Sequence, residues 1–519
     1  MTKAKKYWKG LSELTNDPAI DSLKHNEFPE NLPIDKFLGN ENLSETNTGR
    51  RDFLKFLGFT TAAATLASCE TPVNKSIPYL IKPEEIIPGV ANWYASTYYD
   101  GNDFSNILVK TREGRPIFIK GNELANSAPN SRVIASVLSL YDSNRLKGPY
   151  KNGKPSSWDT IDSEIKQKLS EINTEVVLLT NSIISPTTND IIQSFIKKYN
   201  VRHVQYDAIS YDGMLNANFA SFGIRALPTY FLDKADVIVS FGADFLNSWL
   251  NVDFEREYVS NRNPKSGKMS RHFQIESNLS LSGSNADVRI AVKPSEQLTL
   301  IENLYETLKG KSSPDKRIYQ LVKELKSAKG RSLVISGSNN TNVQIMINGI
   351  NNLLNNYGST LDIENPCYLK KGNEKDLIDL ISDMKSGKVG SLLMHGINPA
   401  YTLPKSFDFV SALKKVKLTV STSLHMDETA SLVDYVCPQR HNLESWGDAN
   451  PYTGVYTLIQ PTIRPLFNSR PVFLTIISLR SVGTLEDFFG QEIHNIPVFF
   501  NEDLSSRISD FSFSAERQK

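Results

Sequence analysis

VIVSFGADFLNSW (Val237–Trp249) and LLMHGINPAYTLP (Leu392–Pro404) share one pattern. In each, a short apolar run ends at a glycine and a polar residue stands two places on: Asp244 after Gly242, Asn398 after Gly396. Such a run, bounded by glycine, reads as a buried strand. In open α/β sheets ligands gather outside the carboxyl ends of strands, and a glycine there lets a ligand approach the main chain. The pattern also suits a strand closed by an Asx turn with no ligand, so the residues leave both readings open. G-x-G-x-x-G does not occur in the chain, which leaves a conventional NAD site without support.

Working outward, strand-like runs alternate with helical stretches. VVLLT (Val176–Thr180) precedes a helical pattern through Ile191, Ile192, Phe195 and Ile196, followed by VRHVQY, DVIVSFG, HFQIES and DVRIAV. A second series follows: SLVISG, a helix over Val343–Leu354, GSLLMHG and VKLTVSTS. This alternation predicts parallel βαβ units, and the two series predict two Rossmann-like lobes over residues 175–470. Upstream, residues 70–174 read as an extended, proline-punctuated linker and a small β-rich region. There SNILVKTREGRPIFIKGN alternates polar and apolar around Glu113-Gly114-Arg115, a hairpin signature. Residues 1–49 form a polar extension, and 471–519 a divergent tail.

The composition is that of an ordinary globular protein: 519 residues, 39% hydrophobic and 22% charged. Lys+Arg number 58 and Asp+Glu 57, giving a net charge of +1, and no basic stripe points to nucleic acid. There are three cysteines, Cys69, Cys367 and Cys437, and no C-x-x-C. A cluster held by four local thiolates is therefore excluded for this sequence, while spacing alone leaves open whether Cys367 and Cys437 pair.

GRRDFLKFLGFTTAAATLASCETP (Gly49–Pro72) carries a transport signal. Arg50, Arg51, Phe53, Leu54 and Lys55 stand in the order read by the twin-arginine route. The uncharged run Phe56–Ala67 is too short to span a bilayer, which needs about 20 apolar residues. It ends in Leu66-Ala67-Ser68-Cys69, a lipobox-like site at which Cys69 would be acylated. Residues 50–69 thus predict export and lipid anchoring on the periplasmic side of the cytoplasmic membrane.

HMDETASLVDYVCPQRHNLESWGDANPYTG gathers His425, Asp427, Glu428, Cys437, His441, Glu444 and Asp448. Cys437 and His441 have the spacing of half a zinc site, but no partner motif accompanies them. Glu444 and Asp448 could form an acid/base pair, although nothing supplies a nucleophile. LESWGDANP reads better as a polar loop held by its own hydrogen bonds. His25, His203, His272, His395 and His494 are scattered singly and read as structural.

YWKGLSEL, NEFPE, RRDFLKFLG, IPYLIKPEEIIPG, EGRPIFIKGN and LYDSNR resemble the B subunit of alternative complex III, a bacterial quinol-oxidising respiratory complex. SFGADFL, IESNLSLSGSNADVR, HGINPAYTLP, DETASLVDYVCP and NLESWGDANPYTGVYTLIQPTIRPLF resemble the same subunit, so the likeness spans Tyr7 to about Arg470. The resemblance implies a molybdopterin-oxidoreductase-like fold in which the Gly242, Asp244, Gly396 and Asn398 loops are degenerate pterin-type loops. It implies no catalytic residue, no molybdenum and no other cofactor or metal in this chain. Iron–sulfur clusters are expected in the family's C-terminal half, which has no counterpart in this sequence, or in a partner subunit. Integral-membrane quinol-binding subunits and cytochrome c subunits are the other expected partners. Substituting Arg50→Lys together with Arg51→Lys should leave the precursor in the cytoplasm, as read by cell fractionation; unchanged export would mean another route.

Overall fold

The computed structural model describes residues 89–476, apart from 251–253, 314 and 473–474. The chain divides into two units, Met1–Pro83 and Glu84–Lys519, and every described residue belongs to the second. The signal residues Arg50, Arg51, Phe53, Leu54, Lys55 and Cys69, with His25 and His494, lie outside the described residues. Among the described residues no helix is long and apolar enough to cross a membrane.

Two parallel sheets organise the molecule. The larger has seven strands, in the order Lys154–Pro155, Tyr150–Lys151, Tyr435–Val436, Leu418–Thr422, Val389–His395, Glu175–Thr180 and Val201–Gln205. The last five are mutually parallel, and the first two form an antiparallel hairpin on one edge. The smaller runs Val288–Ala291, Arg271–Glu276, Val237–Phe241, Ser332–Ser336, all parallel. Runs such as Val176–Leu179 and Val237–Phe241 are buried along their whole length, as strands covered on both faces must be.

The lobes interleave, which corrects the expectation drawn from the two series. The first-series runs Val176–Thr180 and Val201–Gln205 share a sheet with the second-series runs Val389–His395 and Leu418–Thr422. Ser332–Ser336, from the second series, pairs with Val237–Phe241. The smaller lobe is thus inserted between strands Val201–Gln205 and Val389–His395 of the larger, and the chain crosses between them twice. Alternation along the chain specifies parallel units but carries no information about which strands become neighbours. The larger lobe also takes in Tyr150–Pro155 and the helix Trp158–Glu171, whose Trp158, Ile161, Ile165 and Leu169 pack on its sheet.

Two further sheets flank the lobes. Ala91–Tyr99, Phe104–Arg112 and Arg115–Gly121 form an antiparallel meander. Its second turn is the expected hairpin: Glu113 and Gly114 have φ of 52° and 73° between paired Arg112 and Arg115, the geometry of a type I′ turn. Ile107, Val109 and Ile119 on one face pack against Val133, Val137 and Leu140 of the helix Ser131–Leu140, and against Leu443. The other sheet is antiparallel, in the order Val455–Ile459, Gly447–Tyr452, Leu361–Cys367, Leu227–Tyr230. Its strand Gly447–Tyr452 corrects the reading of LESWGDANP as a loop. Ala449 and Pro451 are buried, and Asp448 is engaged by Ser185 and by Thr187, whose hydroxyl donates to it at 2.9 Å. The Asp448 carboxylate is thus satisfied by another element, while Ser445 bonds the neighbouring Trp446 carbonyl.

Arg145 and Glu444 join these parts. Their side chains are 1% and 0% exposed, with guanidinium-to-carboxylate contacts of 2.6 and 3.1 Å. Arg145 also donates to the Leu140 carbonyl at 2.7 Å, while Glu444 accepts from the amides of His441 and Leu466 at 2.9 and 3.0 Å. Burial pushes the Glu444 carboxyl up, but the arginine and the two amides outweigh it and hold it below the ordinary range. Removing one partner of a buried pair strands the other charge, at a cost of about 3–5 kcal/mol. Arg145→Met or Glu444→Leu alone should lower unfolding free energy by that amount in urea titrations, and the double substitution should recover much of it. Single losses below about 1 kcal/mol would refute the role.

Candidate functional site

The carboxyl ends of the central strands are where this topology would hold a ligand. Gly242 and Gly396 both stand there, exposed, with φ of 69° and 67°. Gly396 faces the chain's own Asn181: a Cβ at Gly396 would lie 2.9 Å from the Asn181 amide nitrogen, and one at Gly101 would lie 2.2 Å from it. That amide therefore sits between a glycine of the meander side and a glycine of the large lobe, donating to the Asp100 carbonyl at 3.3 Å. Asn398 is equally engaged. Its Oδ1 accepts from the Thr429 amide at 3.1 Å and hydroxyl at 2.6 Å, and its Nδ2 donates to Glu428 at 2.7 Å.

In the small lobe, Asp244 accepts from the Ser282 amide at 2.9 Å, and its carbonyl accepts from the amides of Asn247, Ser248 and Trp249. A Cβ at Gly337 would come within 2.5 Å of the Gly242 carbonyl, so the two strand-end loops pack on each other there. Both glycine ends occupy the positions their sequence suggests. Their polar side chains are turned to partners within the chain, not in local Asx turns but on residues some 30 to 40 positions away: Ser282 for Asp244, and Glu428 and Thr429 for Asn398.

The two crossings between lobes, residues 206–212 and 367–373, hold a second cluster. Asp207 is buried and accepts from the Ser182 amide and hydroxyl at 3.2 and 2.7 Å and from the Gly372 amide at 2.9 Å. Arg225 donates to Asp212 at 2.5 Å and to the carbonyls of Lys371 and Gly372 at 3.2 and 2.8 Å. Lys370 is 3% exposed and donates to the Gly101 carbonyl at 2.6 Å. Burial pushes its ammonium down despite the nearby Asp207, Asp100 and Asp103. Asn339, from the end of the small lobe's edge strand, donates to Glu374 of the large lobe at 3.0 Å. Sequence reasoning passed over DAISYD and YLKKGN. Their charges become meaningful only once the insertion makes them the two hinges of one joint.

The model of the family described as molybdopterin oxidoreductase matches residues 145–479. The chain belongs to the molybdopterin oxidoreductase family. Within it, the chain is similar to the "Menaquinone reductase, molybdopterin-binding-like subunit" of Nitratidesulfovibrio vulgaris (strain Hildenborough). The two are 24% identical over 83% of this chain and 71% of that protein. Among solved structures it is similar to acetylene hydratase from Pelobacter acetylenicus, with a TM-score of 0.58, 13% identity, and coverage of 74% of this chain and 68% of that one. The structural likeness concerns the fold alone.

A molybdopterin group would call for free donors at the strand ends and soft or anionic ligands for its metal. The described residues of this chain do not fit that demand. Cys367 and Cys437 are free, lie in different hydrophobic clusters, and have thiols pushed up to about 12 by burial. Thiolate, the ligating form, is therefore scarce at neutral pH. The possible zinc half-site does not assemble: Cys437 is within an apolar cluster, while His441 Nε2 bonds Ser139 at 2.9 Å and Nδ1 accepts from the Leu443 amide. Among the described residues no group of three or more His, Cys, Asp or Glu side chains is placed to hold a metal ion. The acid/base pair also fails, since Glu444 is bound to Arg145 and Asp448 to Ser185 and Thr187. Asp427 accepts from the Ser423 hydroxyl and the Ala430 amide, and His425 pairs with Asp142 at 3.1 Å. A cavity of about 470 Å³ lies beside the antiparallel sheet, between Tyr230, Phe254, Cys367 and Tyr452, away from both glycine ends.

Of the singly scattered histidines, the three among the described residues are bonded within the fold. His203 bonds Thr180, His395 bonds Thr422, and His272 lies between Tyr258 and Gln274. Burial pushes these three and His441 down to about 4. The unfolded chain takes up these protons near pH 6.5 and the folded chain only near 4, so stability is full above 6.5 and falls as pH drops through that window. Urea midpoints measured from pH 7.5 to 4.5 should fall steadily, with His272→Gln lessening the slope; a flat profile down to 4.5 would contradict the buried neutral imidazoles.

Proposed function

We propose that this chain is a non-catalytic, cofactor-free subunit of a bacterial quinone-linked respiratory oxidoreductase complex of the alternative complex III type. The carrying observation is the self-engaged strand-end loops: the places that would face a pterin dinucleotide are taken by Asn181, Thr429, Glu428 and Ser282. The printed description of the menaquinone reductase relative, a molybdopterin-binding-like subunit, supports a place in a quinone-linked assembly. Three cysteines without a C-x-x-C put any iron–sulfur clusters on other polypeptide, whether a further C-terminal half or a partner subunit. The twin-arginine order at Arg50-Arg51 and the lipobox-like site at Cys69 support a lipid-anchored subunit on the periplasmic side of the cytoplasmic membrane, with quinol-binding membrane subunits and cytochrome c subunits as its proposed partners.

Isolation of the tagged full chain from its native membranes tests this reading. It should co-purify with membrane subunits and an iron–sulfur protein, and the chain separated from them should hold no stoichiometric molybdenum or pterin. Stoichiometric molybdenum would make it an active molybdopterin oxidoreductase. A well-behaved free monomer retained by no membrane subunit would favour a periplasmic binding protein.

A further inference from the structure

We propose that the tip of the N-terminal meander is a membrane-contact surface that docks on anionic phospholipid headgroups; this rests on the export and lipid anchoring of the reading above. The meander is one-faced. Ile107, Val109 and Ile119 are buried against the helix Ser131–Leu140, so alternation assigns the opposite face to solvent. That face is not polar. Trp93, Lys110 and Phe118 stand in register across its three strands, with Trp93 and Phe118 edge to face at 6.5 Å. Trp93, Phe118 and the adjacent Ile117 are 37%, 43% and 48% exposed. Tyr141, also exposed, donates to the Pro116 carbonyl at 2.8 Å at the same end of the meander.

The charge at this tip is complementary to phosphate. Lys110 and Lys120 hold their ammonium groups 5.6 and 4.9 Å from the Trp93 ring centre. Arg112 and Arg115 flank the exposed turn, so residues 110–120 carry four cations and one acid, Glu113. Indole and phenyl rings at headgroup depth, with lysines reaching to phosphate, are the chemistry of a membrane interface. A basic surface beside an acyl chain supplies the second signal that stable anchoring requires.

The path of the chain points the same way. Gly89 lies against Arg112, a Cβ there being 3.9 Å from its guanidinium, so the chain enters the fold at this tip. Cys69 is twenty positions upstream, a reach of at most about 70 Å when extended.

Vesicle binding of the full chain carrying Cys69→Ser, which removes the acyl anchor, tests the surface directly. The protein should bind vesicles of phosphatidylglycerol and phosphatidylcholine, release with added salt, and bind pure phosphatidylcholine at least tenfold more weakly. Lys110→Glu with Lys120→Glu should weaken binding about tenfold or more, and Trp93→Ala should weaken it and abolish the blue shift in tryptophan emission. Trp446→Ala, at a tryptophan 59% exposed elsewhere, should change nothing. Trp93 and Trp446 are exposed and Lys110 and Lys120 half-buried, and unaltered melting curves establish that the variants fold. Equal binding to neutral vesicles, no binding, or undiminished binding by the lysine variant would overturn the proposal, as would protection of the tip by a partner protein. None of these outcomes bears on the subunit's metal content or co-purification, so the two readings fail separately.

Discussion

The Arg145–Glu444 pair is the interaction on which the arrangement of the parts depends. Two charges leave water completely, and only a fork-to-carboxylate contact, with a further acceptor for the arginine and further donors for the glutamate, makes that tolerable. The satisfying groups come from separate places: the Leu140 carbonyl from the meander's helix, the His441 amide, and the Leu466 amide from the segment after the antiparallel sheet. Phe467 adds its ring 5.1 Å from the guanidinium. Meander, large lobe and C-terminal sheet therefore share one anchoring point, and a shift of any one would leave a buried charge short of partners.

The interlobe joint obeys the same rule at smaller scale. An inserted lobe is tied to its host by two chain crossings, and main-chain groups at such crossings lack the partners a sheet would provide. Asp207, Arg225 and Asn339 supply them, gathering amides and carbonyls from both crossings. Beside the joint, Asn181 lies between Gly101 and Gly396, so that strand end also carries a contact within the chain.

Much of the fold was legible in residue order. The type I′ hairpin at Glu113-Gly114 follows from a glycine at a tight turn between alternating strands, and the buried runs ending at Gly242 and Gly396 follow from uninterrupted aliphatic residues. The isolation of Cys367 from Cys437, the burial of Glu444 and the strand over Gly447–Tyr452 were not legible. Each depends on groups hundreds of positions away, such as Arg145 for Glu444 and Ser185 for Asp448. A clustering of potential metal ligands along the chain was misleading for that reason, because proximity in sequence placed them on different elements with different partners.

By itself the sequence determined most element types, the parallel α/β class and the absence of any C-x-x-C, since periodicity, turn chemistry and residue identity are local properties. Only the tertiary structure decided that one lobe is inserted in the other and that the strand-end glycines face their own chain. It also decided that Trp93 and Phe118 lie together on a solvent-facing sheet surface. Those outcomes are set by which strands pair and which faces are buried. Strand pairing is a long-range balance of packing and hydrogen bonding that no short stretch of sequence encodes.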